Sequence, residues 1–397
     1  MFRDEVQRGV KKDITGIHYE TGMPVRIHVE NGIIAKISEL KGENLADPDL
    51  FLAPGLIDNQ VNGYDGIDFG AQDIDNGKIK KAAEAIWRDG VTSFLPTLVT
   101  NAHEKLLKSF GILSVALKDS FLASSIPGFH LEGPYLSKES GFYGCHPVEY
   151  LRNPSIKEFR EYTEAAEGKI IETTVAPELS GAMEFISICT ENNIVVALGH
   201  TNASSEQIEW AVSFGARIST HLGNGCANMI HRHLNPLWPQ LSNDRLTPSI
   251  IADGHHLLPD EIRVFYKVKG PENIILTSDV TYLIGMAPGY YEYMGSRILK
   301  TEEGLIKNPE LNCLAGASMP LKKGVENMLE ITGCRLGDAI NMACKNVARV
   351  LNLNDRGTLE TGKRADVILF KLTGNKLNIK ETYLEGNLVY SDSVNNK

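Results

Sequence analysis

The sequence predicts a (β/α)₈ barrel of the TIM type, with a small β-sandwich domain built from both chain termini. Three observations lead there. Eight short, β-rich apolar runs alternate with segments of helical periodicity, which marks repeated βαβ units. Both ends of the chain instead read as short strands joined by turn residues, and no glycine fingerprint of a doubly wound sheet follows the first run. The length agrees, since 397 residues hold a barrel of about 250 residues and an accessory domain.

Taken in order, residues 14–52 alternate as short strands, among them 25–29 and 32–37, with turn residues between. The eight barrel runs are 51–61, 91–98, 125–131, 170–176, 194–199, 216–222, 248–252 and 274–278. Helical stretches at 79–89, 104–117, 155–166, 181–191, 205–214 and 259–269 separate them, and helices over 321–329 and 336–350 close the barrel. Segments 357–370 and 377–390 return to strands with Gly-containing turns. The expected boundaries are 1–53 with 355–397 for the small β-domain and 54–354 for the barrel.

Composition narrows the function. Apolar residues make up 42% of the chain, enough for a large core, and the formal charge is −10 without a basic footprint. Nucleic acid is therefore excluded as the main partner, whereas one local Arg or His pocket still suits a small anionic substrate. The six cysteines show no CxxC or ribbon spacing and read as reduced core thiols. The charged N-terminal stretch lacks an apolar h-region and no apolar run reaches about 18 residues, so neither secretion nor a membrane span is expected. The expected compartment is the cytoplasm.

Ionisable and polar residues cluster where the predicted strands end: Asp58, Gln60 and Asn62; His130 and Glu132; His200; His221; Asp253, His255 and His256; and Asp279. In a (β/α)₈ barrel these C-terminal strand ends share one mouth, so residues distant in sequence converge. Glu132, His200 and His221 supply one carboxylate and two imidazoles, an open three-ligand site for one divalent ion with a position left for water. Such an ion lowers the pKa of water to about 7 and polarises a carbonyl. Asp279, at the last strand, is placed to take the water's proton and pass it to a leaving group. The set performs metal-assisted amide hydrolysis. Zn²⁺ is the expected ion, although Fe²⁺, Mn²⁺ and Co²⁺ suit the same donors. His18, His28 and His103 lie outside these ends and read as surface or packing residues.

At these residues the chain resembles the N-acetylglucosamine-6-phosphate deacetylases of the amidohydrolase superfamily. The resemblance runs through APGLIDNQVNG (53–63), HLEGPYLS (130–137), GCHP (144–147), ALGHTNA (197–203), THLGNG (220–225), IADGHH (251–256), LTSDVT (276–281), LAGAS (314–318) and GTLETGKRADVILF (357–370). HLEGP with GHTNA is specific to the deacetylases, while the closing segment marks only the superfamily. Many amidohydrolases carry His-x-His after the first strand for a second metal. Gln60 and Asn62 stand there instead, poor ligands that imply a single ion.

The resemblance implies that Asp279 is the catalytic acid and base. It also implies substrate contacts from Cys145 (through its backbone), His146, Asn224, Gly225, Arg232, the Asp253–Gly254–His255–His256 run and Leu314, Ala315 and Gly316. Arg232 follows His221 by eleven residues, near the family's phosphate-binding arginine. In relatives that arginine reaches the neighbouring subunit's site, which implies a homodimer. The chain departs from the family after the second histidine, where His231, His233 and Trp238 either reshape the sugar pocket or pack a lid. The implied reaction converts N-acetylglucosamine 6-phosphate to glucosamine 6-phosphate and acetate. The alternative keeps the chemistry and changes the substrate to a galacto-configured or unphosphorylated N-acetyl amino sugar, or an N-acyl amino acid. A non-catalytic scaffold is disfavoured, because every ligand of the single-metal site and the acid/base is present.

Overall fold

A computed structural model describes residues 11–41 and 45–393. Eight parallel strands stand side by side in chain order: Leu56–Val61, Val91–Val99, Phe129–Glu132, Ile170–Val175, Val195–Leu198, Ile218–Ser219, Thr247–Ile250 and Ile275–Leu276. The ring closes just past the last strand, where Val280 bridges Val61 and its carbonyl accepts the Asn62 N–H at 2.8 Å. These strands are almost entirely buried, as expected for a parallel sheet covered on one face by helices and on the other by its own interior.

The intervening helices begin where the sequence supplies caps. Asp75 accepts the Lys78 N–H ahead of Asn76–Arg88, and Ser204 with Gln207 forms a capping box ahead of Ser205–Ser213. Helix Asn76–Arg88 turns Ile79, Ala82, Ile86 and Trp87 inward. Each of the two buried isoleucines contributes about 1.5–3 kcal/mol. Among the described residues no helix is long and apolar enough to cross a membrane.

Both termini build the small β-domain as one seven-stranded sheet. At its centre, Phe51–Pro54 pairs in parallel with Lys11–His18 and antiparallel with Val367–Thr373. The predicted run 51–61 therefore divides: its first part belongs to the terminal sheet and its second to the barrel. Gly55 is the crossing point, because a Cβ there would stand 2.1 Å from the Thr92 Oγ1. The sheet is tied to the barrel by Thr382, whose hydroxyl donates to the Trp87 carbonyl at 2.8 Å.

Further features differ from the sequence expectation, among them the run 125–131, which begins in a helix Ser120–Ser125 and becomes a strand only at Phe129. The helix expected over 336–350 breaks into Leu336–Met342 and Lys345–Val350, since the Ala343 carbonyl is drawn away to accept the Ile57 N–H at 2.7 Å. Segment 289–314, with no element assigned from sequence, forms a four-stranded antiparallel sheet of Gly289–Tyr293, Ser296–Lys300, Ile306–Asn308 and Cys313–Leu314. Its first turn is Met294–Gly295, both at positive φ (52° and 77°), the backbone of a tight hairpin.

Inside the barrel, Asn59 donates from Nδ2 to both oxygens of buried Glu172, at 3.1 and 3.2 Å. Burial pushes the Glu172 carboxyl up to about 8, against a weaker opposing pull from Asn59. A carboxyl whose folded pKa is raised binds its proton more tightly folded than unfolded. Stability is therefore lost as pH rises from the unfolded value towards about 8. Glu172→Gln should remove this loss, gaining on the order of a few kcal/mol over wild type at about pH 8 and much less at about pH 5. Chemical unfolding at the two pH values checks it; an equal change at both would contradict the raised pKa.

Candidate active site

Glu132 ends the third barrel strand, and His200 and His221 follow the fifth and sixth. All three are buried. The Glu132 Oε1 lies 2.9 Å from His221 Nε2 and 3.4 Å from His200 Nε2, and one ligand atom from each residue falls within 4.8 Å of the others. The two histidine rings meet edge to face with centroids 4.9 Å apart. His200 Nδ1 is 2.9 Å from the Phe142 carbonyl, which holds the ring with Nε2 turned to Glu132.

The local backbone explains this convergence. His200, His221 and Asp279 have φ of +50°, +29° and +49°, sparsely populated for residues with a Cβ and worth about 1–3 kcal/mol of strain each. At each strand end the extended chain turns sharply. Gly225, at φ +62°, lets the following loop lie against the His200 ring, since a Cβ there would be 2.9 Å from Nδ1.

Burial alone favours a protonated Glu132, but hydrogen bonds with His200 and His221 outweigh it and hold the carboxyl well below the usual range. Burial likewise opposes a charged His221, and Glu132 reverses this, raising the imidazole's pKa. A buried carboxylate thus shares a positive charge with an imidazole at one point. A divalent cation fits the same donors, with two neutral nitrogens and one anionic oxygen from three different strands.

Asp279 lies beside this set. Gln60 Nε2 and Asn62 Nδ2 both donate to its Oδ1, at 2.9 and 2.8 Å. The Gln60 and Asn62 amides therefore grip the carboxylate through one oxygen. Among the described residues no hydrogen bond engages Oδ2. Burial and the charge of Glu132 push Asp279 up to about 6. His146 is buried 3.9 Å from Glu132 Oε2, with Nδ1 2.8 Å from the Thr100 hydroxyl; burial and His200 push it down to about 3, so the ring is neutral.

These groups open onto a cavity of about 410 Å³. Of the residues implicated by sequence, Glu132, His200, His221, Asp279, Asn62, Cys145, His146, Asn224, Gly225, His256, Leu314, Ala315 and Gly316 line it. Gln60 reaches it through Asp279. Asp253 stands behind, accepting backbone N–H groups of His255 and His256 on Oδ1 and placing Oδ2 2.9 Å from His256 Nδ1. His255 turns away to the Glu303 carbonyl at 3.1 Å, with Gly254 as the turn between (φ 92°).

Arg232 is exposed and does not line its own chain's cavity; its carbonyl accepts the Trp238 indole N–H at 3.0 Å. His231, His233 and Trp238 are also outside the cavity and hold the shape of that loop. Sequence reasoning missed Phe142, Thr100, Tyr293 and Met294. The last two were detectable from the alternating aromatic run before Gly295. A carbonyl that orients His200 leaves no sequence signal.

The chain matches the Amidohydrolase family over residues 51–389. It is 33% identical to N-acetylglucosamine-6-phosphate deacetylase of Bos taurus over 350 residues, covering 85% of this chain and 83% of the relative. It is 29% identical to the Bacillus subtilis (strain 168) enzyme of that name, over 86% of this chain and 89% of that one. A solved structure of a variant N-acetyl-D-glucosamine-6-phosphate deacetylase from Mycobacterium smegmatis, in complex with N-acetyl-D-glucosamine-6-phosphate, superposes with a TM-score of 0.86. It is 26% identical, over 96% of this chain and all of that one. A buried Glu-His-His set beside a restrained aspartate, at the C-terminal mouth of a barrel matched along nearly its whole length, is shared ancestry and not coincidence of fold: the chain belongs to the amidohydrolases and, among them, to the N-acetylglucosamine-6-phosphate deacetylase family.

Proposed function

We infer that the chain hydrolyses the acetamido group of N-acetylglucosamine 6-phosphate, releasing acetate and glucosamine 6-phosphate. The observation that carries this is the meeting of Glu132, His200 and His221 at one buried point, with Asp279 alongside, in a member of this family. A divalent ion bound by the three supplies Lewis acidity, acidifying water and polarising the acetyl carbonyl. Asp279 Oδ2 accepts the proton of the attacking water and returns it to the amine nitrogen as the C–N bond breaks. Gln60 and Asn62 keep the carboxylate aimed through Oδ1, and the Asp253–His256 pair presents an oriented imidazole to the substrate.

The reading extends to Zn²⁺ as the ion, to a homodimer and to the cytoplasm, where phosphorylated sugars are confined by their charge. Arg232 is assigned to the 6-phosphate of the neighbouring subunit's substrate. Its exposure on the loop that follows the cavity residues Asn228 and Ile230 supports this. Acetate release is to be measured on Zn²⁺-reconstituted protein across phosphorylated and free N-acetylhexosamines. Arg232→Ala should lower kcat/KM for the phosphorylated sugar by about 1.5–3 kcal/mol, roughly 10- to 150-fold, and leave the free sugar unaffected. Equal kcat/KM for the two substrates in wild type would remove the phosphate assignment.

A further inference from the structure

Cys145 and Cys313, 168 residues apart in sequence, place their Sγ atoms 2.8 Å from one another. Both line the cavity that holds Glu132 and Asp279. They come from two separate segments of the lining that pack into one apolar cluster. Cys145 follows the loop carrying Phe142, whose carbonyl orients His200, and precedes His146. Cys313 begins the last strand of the four-stranded sheet, which leads through Leu314 to Gly316, and Ala317 N–H donates to the Asp279 carbonyl at 2.9 Å. Cys145 Sγ also lies 3.3 Å from the Leu314 carbonyl oxygen. The amide-hydrolysis mechanism uses neither thiol.

We propose that Cys145 and Cys313 form an oxidisable dithiol whose disulfide joins these two segments of the active-site lining and reversibly arrests turnover. A disulfide needs its sulfurs at about 2.05 Å, so from 2.8 Å small side-chain rotations suffice. The oxidant is a hydroperoxide, which reaches the pair through the cavity. The Cys313 sulfur attacks the peroxide: an S–O bond forms, the O–O bond breaks and an alcohol or water leaves. Cys145 then attacks the resulting sulfenic sulfur, the S–S bond forms and water leaves, the two thiol protons having passed to the departing oxygens. Cys313 is the less buried partner and so the first to meet the oxidant.

The crosslink ties the loop that orients His200 to the segment that holds the Asp279 carbonyl, so neither can shift as substrate enters and product leaves. The effect on turnover rests on the function inferred above; the crosslink itself does not.

The Zn²⁺-loaded full chain is to be treated with hydrogen peroxide, capped with N-ethylmaleimide, digested and read by mass spectrometry, with acetate release followed in parallel. Peptides containing Cys145 and Cys313 should appear joined, two hydrogens lighter than their sum. Activity should fall by about tenfold or more and return with dithiothreitol. In Cys313→Ser, and separately Cys145→Ser, peroxide should leave each variant's own starting rate unchanged, whereas Cys226→Ser should remain sensitive. A thiol count on unfolded wild type, two lower after oxidation, supports the link without any variant. The proposal falls if the joined peptides are absent, if they form without loss of turnover, or if Cys313→Ser is inactivated like wild type. An inactive reduced enzyme that still forms the crosslink would instead overturn the assigned reaction.

Discussion

Replacing Asp279 with Asn should lower kcat by roughly 10²- to 10⁴-fold while substrate affinity and folding are kept. The amide oxygen of Asn is isosteric with Oδ1 and accepts the same bonds from Gln60 and Asn62, so the strand end keeps its shape. What disappears is a group able to take a proton from water and give it to the departing nitrogen. Before any ion binds, burial and the charge of Glu132 push this aspartate up to about 6. The variant also removes a buried charge, so its melting temperature should equal or exceed that of wild type. Steady-state acetate release and calorimetric titration with substrate separate the two effects. Turnover within a few-fold of wild type would end the assignment of Asp279 as proton shuttle.

Glu132→Gln should abolish both metal retention and activity. Outer-shell partners of metal ligands are themselves worth roughly 10- to 100-fold in affinity, so loss of the only anionic ligand should cost more. The wild-type protein stripped with a chelator should regain activity and melt higher as Zn²⁺ is restored, because an ion that binds only the folded state stabilises it by mass action, about 4 kcal/mol at a thousand times Kd. Glu132→Gln should show neither response. Elemental analysis and thermal unfolding with and without Zn²⁺ read both. A variant that still carries one ion per subunit would mean that the carboxylate is not a ligand.

The barrel was legible because its strands are short apolar runs bounded by polar residues, and the metal set because those polar residues recur at strand ends. Glu132, His200, His221 and Asp279 all follow this rule. Gln60 and Asn62 were read as positions that had lost a metal; only coordinates reveal that their amides grip Asp279. The Cys145–Cys313 approach was invisible, since it spans two loops with no common period and the thiols looked like ordinary core residues. Arg232 shows the opposite limit: its sequence spacing suggested a phosphate contact, yet one chain alone leaves it facing solvent.

The strand Phe51–Pro54 takes one neighbour from the beginning of the chain and the other from residues made more than three hundred positions later. During synthesis, then, the eight barrel strands have all emerged while this strand still presents a bare row of backbone donors and acceptors on one side. Such a row pairs readily with another nascent copy. A chain cut short before Val367 would leave that flank of Phe51–Pro54 bare, so the returning strand Val367–Thr373 acts as a clasp that covers it.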